Sequence, residues 1–286
     1  MKKIIDGFKI AKKIEKRIEK TTKTLAKKKI KPLLAVILVG NDKPSQTYVN
    51  KKRLLAKKLG IDFKLHKFKT DIQEKEIIKN IKKIQENNKI SGLIIQLPMP
   101  PHINREKILK TIKAEIDVDV LNPITQKKLK SGKLEILPPT PGAIIEILKE
   151  LKVDLKKQTF CLVGTGILVG TPLSYILKNL KVKKLNLCNS KTKNIKQKTL
   201  TADVIITAVG KKNLITADMV KPDAIVIDAG TCFYKKSAYG DVDFKNVAPK
   251  IKYITPVPGG VGPITVAKLI ENTVLYAKKN NSHPNL

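Results

Sequence analysis

Arginine, cysteine, histidine and aromatic residues are all scarce in this chain of 286 residues. Aromatics make up only 4%, and the basic residues other than Arg17, Arg53 and Arg105 are all lysine. A surface built for nucleic acid more often carries arginine forks and stacking rings, so no specific nucleic-acid partner is expected. The cysteines, Cys161, Cys188 and Cys232, lie far apart without a CxxC pair, and are expected to be reduced and structural. His66, His102 and His283 have no spacing to one another or to cysteine that would hold a metal, and none is predicted. No apolar run approaches the length of a membrane span. The opening MKKIIDGFKI lacks a long apolar stretch and a small-residue cleavage site, so no membrane partner is expected, and the location is read as cytoplasmic.

Lysine is what the chain has in excess. The 58 basic residues outnumber 24 acidic ones, a net charge of +34. The lysines are spread over the chain, and isoleucine and asparagine are also abundant. That pattern reads as compositional drift toward A/T-rich codons and ordinary solvated faces. The same charge could also steer an acidic substrate into its site.

Strand-like and helix-like segments alternate from end to end. Apolar runs at 33–39, 61–68 and 92–97 read as strands, separated by helical patterns near 10–28, 48–59 and 72–87. After Asp117–Pro123 and a polar stretch, Pro138-Pro139-Thr140-Pro141-Gly142 precedes an apolar helical run and marks a domain boundary. A second set of strands is read at 159–163, 184–188, 204–208, 224–229 and 252–254, as in a parallel dinucleotide-binding sheet. The fold class is α/β with two domains: an N-terminal three-layer α/β catalytic domain and a C-terminal Rossmann-like dinucleotide-binding domain.

The first strand of the second set runs into Gly164-Thr165-Gly166-Ile167-Leu168-Val169-Gly170-Thr171-Pro172, followed by helical apolar spacing. Strand, glycine turn and helix stand in the order that a dinucleotide fingerprint requires, though GxGxxxG is one residue longer than usual. At the end of the next strand, Asn189-Ser190-Lys191 stands where an acid would bind ribose hydroxyls in an NAD enzyme. Ser190 and Lys191 can instead hold a ribose phosphate, which favours NADP while leaving NAD open. Ala208-Val209-Gly210 and Asp228-Ala229-Gly230 fall at two further strand ends, where cofactor contacts collect.

Three stretches carry the remaining chemistry. Tyr48 and Lys52, four apart, share one helix face. A lysine whose pKa is lowered by partial burial or by neighbouring cations can move protons near neutral pH, and Lys51 and Arg53 are placed to press on Lys52. Gln96 ends an apolar strand, and Asp117 and Asp119 are paired carboxylates two apart. The loop TPVPGGVGPIT, residues 255–265, packs prolines and glycines ahead of a helical run, so it is built to hold one shape. Pro263 reads as the first turn of that helix, whose free N–H groups favour an anionic or carbonyl-bearing ligand.

In that order Tyr48/Lys52, Gln96-Leu97-Pro98, Asp117-Val118-Asp119, Thr140-Pro141, the Gly164–Pro172 turn, Gly240-Asp241-Val242 and the 256–265 loop resemble the bifunctional methylenetetrahydrofolate dehydrogenase/cyclohydrolase family over almost the whole chain. The resemblance implies oxidation of 5,10-methylenetetrahydrofolate with NADP, then hydrolysis of the methenyl product to 10-formyltetrahydrofolate. It implies Lys52 as the principal catalytic residue, tuned by Gln96, with Tyr48 positioning the folate and Asp119 hydrogen-bonding its pterin. Leu97, Pro258, Gly259 and Gly260 would join the folate site, the loop lining a cleft between domains. Thr140, Gly164, Thr165, Gly166, Ser190, Lys191, Ala208, Gly210, Ala229, Gly230, Thr231 and Thr265 would line the cofactor. Residues 1–139 would form the folate domain, with a helix at 264–286 packing back on it, and residues 140–263 the NADP domain. A homodimer is implied, as is a folate substrate whose glutamate tail the lysines could attract.

The chain departs from the family pattern in several places. Val120 stands where glycine usually follows the aspartates, and in Pro141-Gly142-Ala143 the glycine is displaced by one residue. Thr165-Gly166 replaces an Arg-Ser pair, Asn189 a histidine, and Gly230-Thr231-Cys232 the usual GIN. These changes bear on cofactor choice more than on hydrolysis. A single-activity folate enzyme and an NADP dehydrogenase of another small substrate remain the alternatives.

Overall fold

The computed structural model describes residues 3–87, 89–234 and 237–282. Its chain divides into two compact units: residues 1–12, 129–133 and 140–265 form one, and residues 13–128, 134–139 and 266–286 the other. His283 lies outside the described residues, as does the end of the expected 264–286 helix.

Helix α1 (Gly7–Lys27) leads into strand β1 (Leu33–Val39), α2 (Lys43–Lys58), β2 (Asp62–Phe68), α3 (Glu74–Gln85) and β3 (Gly92–Ile95). The three strands form a parallel sheet in the order β2-β1-β3. Central β1 is buried along nearly its whole length, because a strand covered on both faces needs apolar residues on both. Edge strand β2 alternates more exposed positions. Side chains of α3, α4 (Arg105–Lys110) and β3 close the core around Ile37, Ile77, Ile95 and Ile108. Helix α2 starts where the Asp42 carboxylate accepts the Ser45 N–H at 2.9 Å, with a proline in its first turn. That cap fixes the helix carrying Tyr48 and Lys52, and Gln96 follows directly on the buried end of β3.

After α5 (Pro123–Lys130), α6 (Pro139–Glu150) begins at the second proline of the expected boundary, so Thr140 lies in its first turn. The other unit then alternates β4 (Thr159–Val163), α7 (Gly170–Asn179), β5 (Lys184–Cys188), α8 (Ile195–Leu200), β6 (Val204–Thr207) and β7 (Ile225–Asp228). A short hairpin follows, β8 (Cys232–Tyr234) and β9 (Ser237–Tyr239), which sequence periodicity did not anticipate. Helix α9 (Phe244–Val247), β10 (Tyr253–Ile254) and α10 (Val261–Ser282) complete the chain. The sheet is all parallel, in the order β10-β7-β6-β4-β5. The connection from β5 to β6 crosses over β4, so the strand order reverses between β4 and β6, where ligands of such sheets collect. Ile4 adds a parallel bridge to Ile254, with Ile5 N–H donating to Ile254 O at 2.8 Å and Ile254 N–H to Lys3 O at 2.9 Å.

Among the described residues no helix is long and apolar enough to cross a membrane. All three cysteines are free thiols. Cys161 and Cys188 meet on neighbouring strands with Sγ atoms 3.7 Å apart, both buried.

Candidate active site

Gln96 leaves the sheet with its N–H donated to Ile37 O at 2.8 Å, which holds the residue at the strand end. Its side-chain carbonyl accepts from Lys52 Nζ at 3.0 Å, and its amide nitrogen donates to Leu97 O at 2.7 Å. The Leu97 carbonyl also takes the Ser45 hydroxyl at 3.4 Å, so the start of α2 and the end of β3 are tied together around the lysine. Leu97–Pro98 is a cis peptide. Burial pushes the Lys52 amine below its ordinary pKa, opposed by the nearby Asp119 charge. Burial, not the cationic neighbours named above, supplies the pressure. The Lys51 ammonium lies 5.5 Å from the Tyr48 ring centroid, and Arg53 donates to Asn50 Oδ1 at 2.9 Å.

The two aspartates have separate fates. Asp117 is fully buried and accepts from Leu121 N–H at 3.2 Å, Asn122 N–H at 2.8 Å and the Thr125 hydroxyl, so it organises the start of α5 rather than facing a ligand. Asp119 is the one that answers Lys52. Burial pushes its carboxyl up to about 6; the Lys52 cation holds it down and Asp117 pushes it up. The backbone between them is pinned by Asn272 of α10, whose amide donates to Val118 O at 2.9 Å and Leu137 O at 2.8 Å. Sequence reasoning did not single out Asn272, because a lone asparagine in an apolar helix carries no motif. Val120 adopts φ +58, the left-handed region that a β-branched residue enters only at a cost. The position where the family pattern has glycine is therefore one whose backbone calls for it.

In the other unit, the turn after β4 sits at the reversal of strand order. Gly164 (φ +104) leaves no room for a side chain, since a Cβ there would lie 2.6 Å from Ala208 O. A Cβ on Gly170 would come within 1.9 Å of Gly164 O, so α7 starts flush against the turn. Gly166 faces open space, with nothing within 4 Å of where its Cβ would be. No side chain caps the N-terminus of α7. An open glycine turn leading into a helix start is what a dinucleotide diphosphate requires, and these residues fit it, with the Thr171 N–H donating to Gly166 O at 3.0 Å within the turn. Exposed Ile167, Leu168 and Val209 supply apolar surface around it.

The other expected cofactor residues gather at the same ends of the strands. Gly164 N–H donates to Cys188 O at 2.8 Å, joining the turn to the strand that leads into Ser190 and Lys191, both exposed. Lys191 N–H bonds Asn189 Oδ1 at 2.9 Å. Ala208 follows β6, Ala229 and Gly230 follow β7, and a Cβ on Gly210 would sit 3.3 Å from Thr231 O. The Thr140 and Thr265 hydroxyls are 3.3 Å apart. Exposed Thr165 occupies the position where the family pattern has arginine. Pro258, Gly259 and Gly260 belong to this unit as well: Val257–Pro258 is cis, and Gly259 O accepts the Gly7 N–H at 3.0 Å. His102 Nε2 lies 3.1 Å from Ile72 O, and among the described residues no group of three or more His, Cys, Asp or Glu could hold a metal.

These arrangements define the class, a two-unit α/β enzyme with a Rossmann-like dinucleotide half. Comparison with known proteins gives the family. The tetrahydrofolate dehydrogenase/cyclohydrolase catalytic domain matches residues 5–119, and the NAD(P)-binding domain of the same family matches residues 138–281. The bifunctional protein FolD of Nautilia profundicola is 46% identical over 276 residues, covering 96% of this chain and 97% of that protein. The crystal structure of the bifunctional FolD dehydrogenase/cyclohydrolase from Campylobacter jejuni superposes with a TM-score of 0.93 at 38% identity, covering 97% of this chain and 99% of that one. The Trypanosoma brucei methylenetetrahydrofolate dehydrogenase-cyclohydrolase, complexed with NADP cofactor and inhibitor, gives 0.94 at 30% identity over 98% of both chains. The chain belongs to the tetrahydrofolate dehydrogenase/cyclohydrolase family.

Proposed function

We propose that this enzyme oxidises 5,10-methylenetetrahydrofolate to the methenyl form with NADP and hydrolyses that product to 10-formyltetrahydrofolate, in one-carbon metabolism. The observation that carries the reading is Lys52 held against Gln96, with Asp119 as its counter-charge. The folate half draws on Tyr48, Lys52, Gln96, Leu97 and Asp119, joined by Pro258, Gly259 and Gly260.

Lys52 manages the proton. With its pKa lowered by burial, the amine takes a proton from water as the oxygen adds to the methenyl carbon. It returns that proton to the ring nitrogen as the C–N bond opens, and the hydroxyl proton of the adduct leaves to water as the formyl C=O forms. Gln96 keeps the amine pointed at one place, and its own amide is tied to Leu97 O, so the pair does not need to reorganise. Ionised Asp119 accepts the N–H donors of the pterin, and the Tyr48 ring lies along the folate.

NADP, when bound, supplies the acceptor for the substrate hydride. The protein's share of that step is to hold two ring systems face to face, with Gly164, Thr165, Gly166 and the α7 N-terminus taking the diphosphate. Thr140, Ala208, Gly210, Ala229, Gly230, Thr231 and Thr265 line the remainder. Ser190 and Lys191 hold the ribose phosphate in place of the missing arginine. We further place the enzyme in the cytoplasm as a homodimer.

The test is purified enzyme with 5,10-methylenetetrahydrofolate and NADP or NAD, following methenyl absorbance and its decay, beside Lys52→Met. The expected result is cofactor-dependent formation, faster with NADP, and a decay that slows by about 10²-fold or more in the variant. No methenyl product with either cofactor would sink the reading. Formation without enzyme-catalysed decay would reduce it to a single-activity enzyme.

A further inference from the structure

Gly240-Asp241-Val242 is the one motif of the resemblance that neither reaction uses. Asp241 is fully buried just beyond the β8–β9 hairpin. Its Oδ2 accepts the Val209 N–H at 2.7 Å, and its Oδ1 accepts both the Gly210 and the Lys211 N–H at 2.7 Å. Three consecutive backbone donors of the loop after β6 thus converge on one carboxylate.

The same carboxylate presses on the loop after β7. A Cβ on Gly230 would lie 2.1 Å from Asp241 Cγ, so only glycine fits there. Through Ala208 O the clamped loop also abuts Gly164 of the diphosphate turn. One side chain therefore sets the spacing of three strand-end loops at the reversal of strand order.

The chemistry of this arrangement is specific. A run of adjacent N–H groups around a residue at positive φ, here Gly210 at +83, forms an anion-binding concavity. Left open, it would compete for a phosphate of the dinucleotide and pull the loop out of shape. Asp241 fills it internally.

We propose that Asp241 is a positioning residue for the dinucleotide, which it does not touch: it satisfies the Val209–Lys211 donors and fixes the Ala208–Lys211 loop in its receiving shape. The proposal rests on the NADP reading above.

Two experiments test it. In the first, Asp241→Asn is compared with the unaltered enzyme by calorimetric titration of NADP, by thermal unfolding, and by both activities. Expected are about tenfold weaker NADP binding and a KM for NADP raised to match, because a pre-formed loop lowers the ordering penalty of binding. Dehydrogenase kcat at saturating NADP and hydrolysis of added methenyltetrahydrofolate should stay within about twofold of the unaltered enzyme. Unchanged NADP affinity in a folded variant would overturn the proposal, and so would a parallel fall of both activities with stability. Absence of NADP binding by the unaltered enzyme would overturn the cofactor reading itself, and this inference with it. The second experiment needs no variant: in the cofactor-free enzyme the Val209, Gly210 and Lys211 amides should exchange slowly with deuterium, with no further slowing when NADP is added. Fast exchange, or a large slowing on NADP addition, would show that those donors serve the cofactor directly and would overturn the clamp.

Discussion

At the scale of single residues, the pair Asp117 and Asp119 shows what a sequence can and cannot say. Two carboxylates two apart are visible in the chain, but their division of labour is not. Asp117 is spent on two N–H groups of its own loop and a hydroxyl of α5, while the charge of Asp119 acts on Lys52. Only the path of the backbone between them, held at Val118 O by Asn272, separates them. The Tyr48–Lys52 spacing and Gln96 at a strand end were legible, because helix period and strand termini follow from local pattern. The cause of the Lys52 shift was not, since burial depends on contacts remote in sequence. A pH dependence follows from the carboxyl of about 6 on Asp119. Its acceptor form predominates above that value and is lost as pH falls through it, so KM for the folate should rise by about tenfold per pH unit below 6. Initial rates between pH 5 and 8 measure this, and a flat KM across that range would remove Asp119 from substrate binding.

Among the elements, the parallel strands were the easiest to read, and β1, β4 and β5 fall at their expected positions. Buried strands announce themselves as apolar runs. The β8–β9 hairpin did not, because three-residue strands are too short to show alternation, and so the setting of Asp241 was hidden as well. Helix α5 carries a related lesson. Its first turn is capped by Asn122, whose Oδ1 accepts the Ile124 N–H at 2.7 Å, while Asp117, from outside the helix, holds that cap through the Asn122 N–H, a support that no local pattern announces. Asp117→Ala would leave the Leu121 and Asn122 N–H groups without their buried acceptor, and the Thr125 hydroxyl with Asn122 O alone. The expected loss is about 3–5 kcal/mol of stability, measured by urea unfolding. A loss below about 1 kcal/mol would mean that other acceptors replace it.

For the whole molecule, the α/β class and the presence of a dinucleotide half were both legible from alternation and one glycine turn. The grouping of residues 3–12 with the dinucleotide sheet comes through pairing with β10, which no local pattern announces. The net charge of +34 makes its own prediction. If the lysines speed capture of acidic folates, kcat/KM for a polyglutamylated substrate should fall several-fold between about 20 and 300 mM salt, and that for the monoglutamate much less. Equal salt dependence for the two would return the lysines to composition alone. The bridge from Ile4 to Ile254 also bears on synthesis of the chain at the ribosome. Ile4 is made about 250 residues ahead of its strand partner Ile254, so the dinucleotide sheet gains this pairing only after β10 has been synthesised. A nascent chain must carry that unmatched segment past almost every other element before it can be put away.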